Sequence, residues 1–164
     1  MDAMKVNILT FKVDGEPVGK QRPRILKSGR AYTPEKTVEY EARVLRSFLS
    51  ASRGRFFAGK GEPVSVVINA YYKIPKSTAK AQRGLMGSGV IRPTKKPDAD
   101  NVAKIIQDAL NQYAYADDAQ VVLSVASKWY AKDEPYVQVT LKKIRKDIET
   151  NGEKFSTDKI PTSS

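Results

Sequence analysis

Two aspartates separated by one residue, Asp98 and Asp100, open the stretch Lys96 to Gln120 (KPDADNVAKIIQDALNQYAYADDAQ), with Lys104 one helical turn beyond them and a second acidic pair, Asp117 and Asp118, closing it. Carboxylates brought together in a folded chain repel one another unless a cation, a basic side chain or a proton offsets the charge. A divalent ion does so economically, and an all-oxygen ligand set suits Mg²⁺ or Mn²⁺. Such a site activates water and neutralises the charge that develops on a phosphate under attack, which is the chemistry of phosphodiester hydrolysis. Lys104 is placed to meet such a phosphate or to pair with a carboxylate. The same residues also read as helix caps, a solvated lysine and an acidic turn before a strand. Types and spacing alone leave both readings open.

The elements that must position these groups follow from periodicity. If Asp98-Ala99-Asp100 is extended, its two carboxylates point the same way. Asp100 then caps a helix from Asn101 to Asn111, with Val102, Ile105, Ile106, Ala109 and Leu110 on its apolar side and Asp100, Lys104, Asp108 and Asn111 opposite. A largely extended Gln112 to Ala116 is long enough to return the chain to the start of that helix, which spans about 16 Å. Strands are expected at Lys5 to Val13, Pro63 to Ile74, Val121 to Tyr130 and Pro135 to Ile144, the last two as a terminal hairpin. Thr33-Pro34 starts another helix, with Val38, Ala42, Leu45, Phe48 and Leu49 at helical spacing. Pro75 to Pro93 is expected to be a mobile basic loop with at most a short helix around Ser77 to Arg83, and its Gly87-Ser88-Gly89 lacks the spacing of a phosphate-binding loop.

Composition narrows the chemistry further. With neither histidine nor cysteine, imidazole bases, thiol nucleophiles, disulfides and zinc-type ligand sets are excluded. Carboxylates, Lys, Tyr and Ser remain. The formal net charge of +11 favours a polyanionic partner, most simply nucleic acid. The segment from Gly19 to Lys36 (GKQRPRILKSGRAYTPEK) concentrates Lys20, Arg22, Arg24, Lys27, Arg30 and Lys36 against the single acid Glu35, and suits contact with a phosphate backbone. No apolar run approaches the length of a transmembrane helix and no signal-peptide pattern occurs, so no membrane role and a cytoplasmic location are expected. The 164 residues suit one domain over 1–145, followed by a polar, flexible tail over 146–164.

The pattern PDADN…K…DAL…DD.Q, together with the upstream KQRPR…GRAYTP, resembles the RusA family of Holliday-junction resolvases, often encoded by prophages; the likeness runs from roughly Val13 to Ile144. The resemblance implies an α+β domain, a mixed β-sheet with two main helices packed on it. It implies that Asp98, Asp100 and Asp118 are the catalytic, metal-binding carboxylates and Lys104 the essential basic residue. Asp117 is the less secure ligand, and the choice between it and Asp118 stays open. It further implies Mg²⁺, with Mn²⁺ able to substitute, a homodimer, and paired nicks across four-way junctions in recombination and repair. Lys20, Arg22, Arg24, Lys27, Arg30, Lys95 and Lys96 are the expected contacts to branched DNA. Two alternatives remain: a junction-binding protein without turnover, and a less structure-selective nuclease.

Overall fold

The computed structural model describes residues 3–144, so the expected tail over 146–164 lies outside the described residues. The longest apolar alternation in the chain lies in Val64–Tyr72 (VSVVINAYY), and this strand, β4, lies inside a four-stranded sheet of order β1-β6-β4-β5. Val64, Val66, Ile68, Ala70 and Tyr72 turn to the core. β1 (Ile8–Asp14) runs antiparallel to β6 (Tyr136–Lys143), β6 antiparallel to β4, and β4 parallel to β5 (Val121–Tyr130). The sheet is therefore mixed and the domain α+β.

The terminal hairpin is corrected: β5 and β6 follow one another in sequence, but β4 stands between them. Period-two alternation fixes which face of a strand is buried, not which strand it adjoins. β4 carries the most fully buried apolar surface of the strands, and a central place satisfies its backbone on both edges.

Two long helices cover one face of the sheet. α1 (Glu35–Ser52) buries Thr37, Tyr40, Val44, Phe48 and Ser52, and Phe48 meets Phe11 of β1 edge to face at 5.8 Å. The expected stripe through Val38 is rotated by about a residue: Val38 is 51% exposed and Tyr40 turns inward. α3 (Ala99–Leu110) packs Val102, Ile105, Ile106, Ala109 and Leu110 into the core, the side read from its sequence.

The short helix expected around Ser77 to Arg83 is present as α2 (Lys80–Gly87), beginning and ending a few residues later. The Arg83 guanidinium donates to the carbonyls of Thr78, Pro75 and Lys76 at 2.9–3.0 Å, and Arg92 lies over the Trp129 ring of β5 at 3.2 Å from its centroid. These two arginines hold the segment to itself and to the sheet. The basic stretch after β1 projects as an arm containing a small hairpin, β2 (Arg24–Ile25) with β3 (Ala31–Tyr32). No helix among the described residues is long and apolar enough to cross a membrane.

Candidate active site

The start of α3 decides where the acidic residues point. The helix begins at Ala99, so Asp98 occupies the N-cap position and Asp100 already lies in the first turn, which corrects the extended tripeptide expected for these residues. Positions two apart on a helix are turned by about 200° around its axis, so the two carboxylates leave on different sides. Asp100 lines a cavity of about 450 Å³ with Ala103, Lys104, Gln107 and Asp108 of α3, Asp118 before β5, and Ser124 and Ala126 of β5. Asp98 instead lines a neighbouring cavity on the other side of the helix start, with Lys36, Lys96 and Asn101.

The first cavity thus brings together Asp100, Lys104 and Asp118 and adds Asp108. It follows α3 for two turns, about 12 Å from Asp100 to Asp108. Asp118 stands toward the Asp108 end. There, burial first and then the charges of Asp118 and Asp108 push the Tyr115 phenol well above its ordinary pKa, and its hydroxyl donates to the Gln107 carbonyl at 3.3 Å. Gln107 Nε2 in turn donates to Ser124 Oγ at 2.7 Å, tying the helix wall of the cavity to the strand wall. The carboxylates are strung along the cavity: among the described residues no three acidic side chains form a group able to hold a metal ion.

Asp117 and Asp118, adjacent in sequence, take different tasks. Asp117 Oδ1 accepts from the Ala119 amide at 2.9 Å, capping the single 3₁₀ turn Asp118–Gln120. The Ala119 amide, and then a hydrogen bond with Asp118, hold the Asp117 carboxyl below the usual aspartate value. Gln120 completes a capping box. Its Oε1 accepts from the amides of Ala116 and Asp117, while its Nε2 donates to the carbonyls of Gly59 and Glu62 at 2.7 and 3.0 Å. The linker before it is a turn rather than the extended run expected, with Gln112 at φ 66° and Ala114 and Tyr115 buried. The carbonyl of Ala114 accepts from both Phe57 and Ala58, which fixes that turn against the loop after α1.

Basic residues divide in the same way. Arg22, Arg24, Lys27 and Arg30 are exposed on the arm, and Lys95 and Lys96 are exposed ahead of α3. Lys20 is turned inward: its ammonium pairs with Glu41 of α1 and with Asp108 at 2.8 Å. Burial lowers its pKa, but hydrogen bonds and charge attraction from Asp108 and Glu41 outweigh that and leave it raised. Asp108 also faces Lys104 at 3.5 Å across one helical turn. One carboxylate therefore connects the base of the arm to the lysine of the cavity. Asp108 belongs to the polar stripe visible in sequence, at the spacing Asp100, Lys104, Asp108, but nothing in that stripe marks it as the partner of Lys20. Ser124 and Gln107 carry no sequence signal of their own.

Comparison with known proteins bears on the whole constellation. A Bacillus subtilis (strain 168) protein, YqaN, described as uncharacterized, is 36% identical over 144 residues, covering 85% of this chain and 99% of that one. Residues 14–142, which contain the arm, α3, both acidic pairs and most of the sheet, match the family profile described as endodeoxyribonuclease RusA. The chain belongs to the RusA endodeoxyribonuclease family.

Proposed function

We propose that the protein is a metal-dependent endodeoxyribonuclease that resolves four-way DNA junctions by paired phosphodiester hydrolysis. The observation that carries this reading is the cavity shared by Asp100, Lys104, Asp108 and Asp118 in a chain of net charge +11. The donor set fits Mg²⁺, which is commonly held by one or two carboxylates with water and substrate phosphate completing its shell. Asp100 or Asp118 would give such an ion one carboxylate, with water and the substrate phosphate supplying the rest of its shell; Asp98 faces the other cavity and stands apart from that space. When bound, such an ion lowers the pKa of water and offsets charge on the phosphate.

The protein's own part is to place the strand and stabilise charge. Lys104, 63% exposed at its side chain, meets the scissile phosphate, and Asp108 orients it from one turn away. The arm arginines and lysines hold flanking phosphates, which positions the DNA without reading its sequence. A homodimer places two such cavities against two symmetry-related strands of a junction.

Asp100→Asn tests the proposal. Cleavage of a synthetic four-way junction in Mg²⁺ is expected to vanish while junction binding persists, and unchanged nicking by that variant would sink the assignment. Mn²⁺ is expected to support the wild-type reaction in place of Mg²⁺. Equal cutting of linear duplex, flap and junction substrates would instead mark a less selective nuclease, and tight junction binding with no nick in either metal a non-catalytic binder.

A further inference from the structure

The cavity on the far side of the α3 start has its own chemistry. Its volume is about 400 Å³, and its walls include Lys36 from the first turn of α1, Lys96, Gln21, Asn101 and Asp98. Neither Lys36 nor Lys96 has an acidic partner within 4 Å among the described residues, whereas Lys20, which also lines the cavity, is neutralised by Glu41 and Asp108. Two lysines without an acidic partner thus line one open space together with a single carboxylate residue, Asp98, itself unpaired among the described residues. The amides of Gln21 and Asn101 supply further hydrogen-bond donors.

The walls are also fixed against each other. The Lys20 amide donates to the Asn101 carbonyl at 2.9 Å, and the backbone of Gly19 lies so close to Pro97 that an added Cβ would sit 2.6 Å from the proline Cβ. A preformed, cationic, hydrogen-bonding cavity takes an anion with little reorganisation. Its place next to the acidic cavity, with only the first turn of α3 between them, selects which anion.

We propose that this cavity is a phosphodiester subsite in which Lys36 and Lys96 hold a non-scissile phosphate of the strand whose scissile phosphate faces Lys104. The proposal rests on the nuclease reading for its substrate, and it gives Lys36, at the start of α1, a positioning role in that reaction. The strand then crosses the start of α3 with one phosphate on each side.

The test measures binding and cutting separately, on the full chain. Lys36→Ala, Lys96→Ala and the double variant are compared with Lys60→Ala, which removes the same charge from a residue outside both cavities. Binding to a four-way junction without divalent metal is followed across a salt series. Each cavity lysine is expected to lower the slope of log K against log salt by about one. A junction carrying a methylphosphonate beside the cut site is expected to bind the wild type and Lys36→Ala alike, because the contact is already gone. In Mg²⁺ the variants are expected to raise KM for cutting more than they lower kcat, and Lys36→Arg to restore most of the loss.

Cavity variants that match Lys60→Ala in slope and in cutting, while the wild type nicks normally, overturn the subsite and leave the nuclease reading intact. A wild type that never nicks but shows the lysine-dependent, methylphosphonate-sensitive binding leaves the subsite standing and removes the nuclease reading. Absence of any junction binding removes both. Saturation of the same lysines by inorganic phosphate at concentrations where DNA fails to compete would assign the cavity to free phosphate and overturn the DNA assignment.

Discussion

Asp117 and Asp118 show how far one carboxylate's task is set by its backbone neighbours. Asp117 spends an oxygen on the Ala119 amide and stands as the cap of a 3₁₀ turn, while Asp118, the next residue, lines the cavity that contains Asp100 and Lys104. Asp118→Asn is therefore expected to reduce junction nicking by roughly 10²-fold or more, as losing one preorganised charge at a reacting phosphate does, with thermal stability kept. Asp117→Ala, which removes the capping oxygen, is expected to do the reverse: a lower melting temperature with nicking close to wild type. Parallel melting and cleavage measurements decide it, and an inactive but stable Asp117→Ala would exchange the two roles. The acidic residues and Lys104 are legible in sequence because carboxylate chemistry narrows sharply in a chain without His or Cys. The divergence of Asp98 from Asp100 is not, because it depends on a helix beginning two residues earlier than a capping Asp100 implies. Lys20 reads as one more charge of a basic run, and only the approach of α1 and α3 reveals it as the internal partner of Glu41 and Asp108.

At the scale of elements, the site depends on how the arm, α1 and α3 meet. α1 and α3 pack on one face of the sheet, and the loop from β1 into the arm passes through Gly19 against Pro97 and Asn101 at the mouth of α3. Gly19→Ala places a Cβ 2.6 Å from one proline carbon and 3.3 Å from the Asn101 Cβ, so the loop must shift away from the helix start. Overpacking of this kind costs about 1–3 kcal/mol. The expected outcome is faster proteolysis and faster amide exchange across residues 17–32, with the sheet unaffected; unchanged protection of that segment would show that the contact does not anchor the arm. The strands and both long helices are legible from period two and period 3.6, and the buried side of α3 is read correctly residue by residue. Strand order is not, because β4 enters between two strands that adjoin in sequence. The segment Pro75 to Pro93 misleads for a related reason: its arginines look like solvated charge, yet Arg83 satisfies three carbonyls and Arg92 covers Trp129.

For the whole molecule, the formal charge of +11 must be divided before it says anything about DNA. Lys20 is paired within the fold, Lys143 is 8% exposed and donates to the Met4 carbonyl at 2.6 Å, and Arg83 and Arg92 hold α2 and its flank in place. The exposed cations that remain are Arg22, Arg24, Lys27 and Arg30 on the arm, with Lys36, Lys95 and Lys96 near the starts of α1 and α3, and of these Lys36 and Lys96 line the second cavity. If these carry the phosphate contacts of one protomer, binding of duplex arms should follow a log–log salt slope of about −6, since each neutralised phosphate contributes about −0.9. Charge reversal of two exposed lysines elsewhere, Lys60 and Lys76, alters the long-range attraction and so the association rate, but it leaves that slope nearly unchanged. Removing Arg22 and Arg24 together should flatten it by about two. A slope that tracks total charge, falling equally for both pairs of substitutions, would show that the protein holds DNA through a diffuse positive field and not through these particular cations.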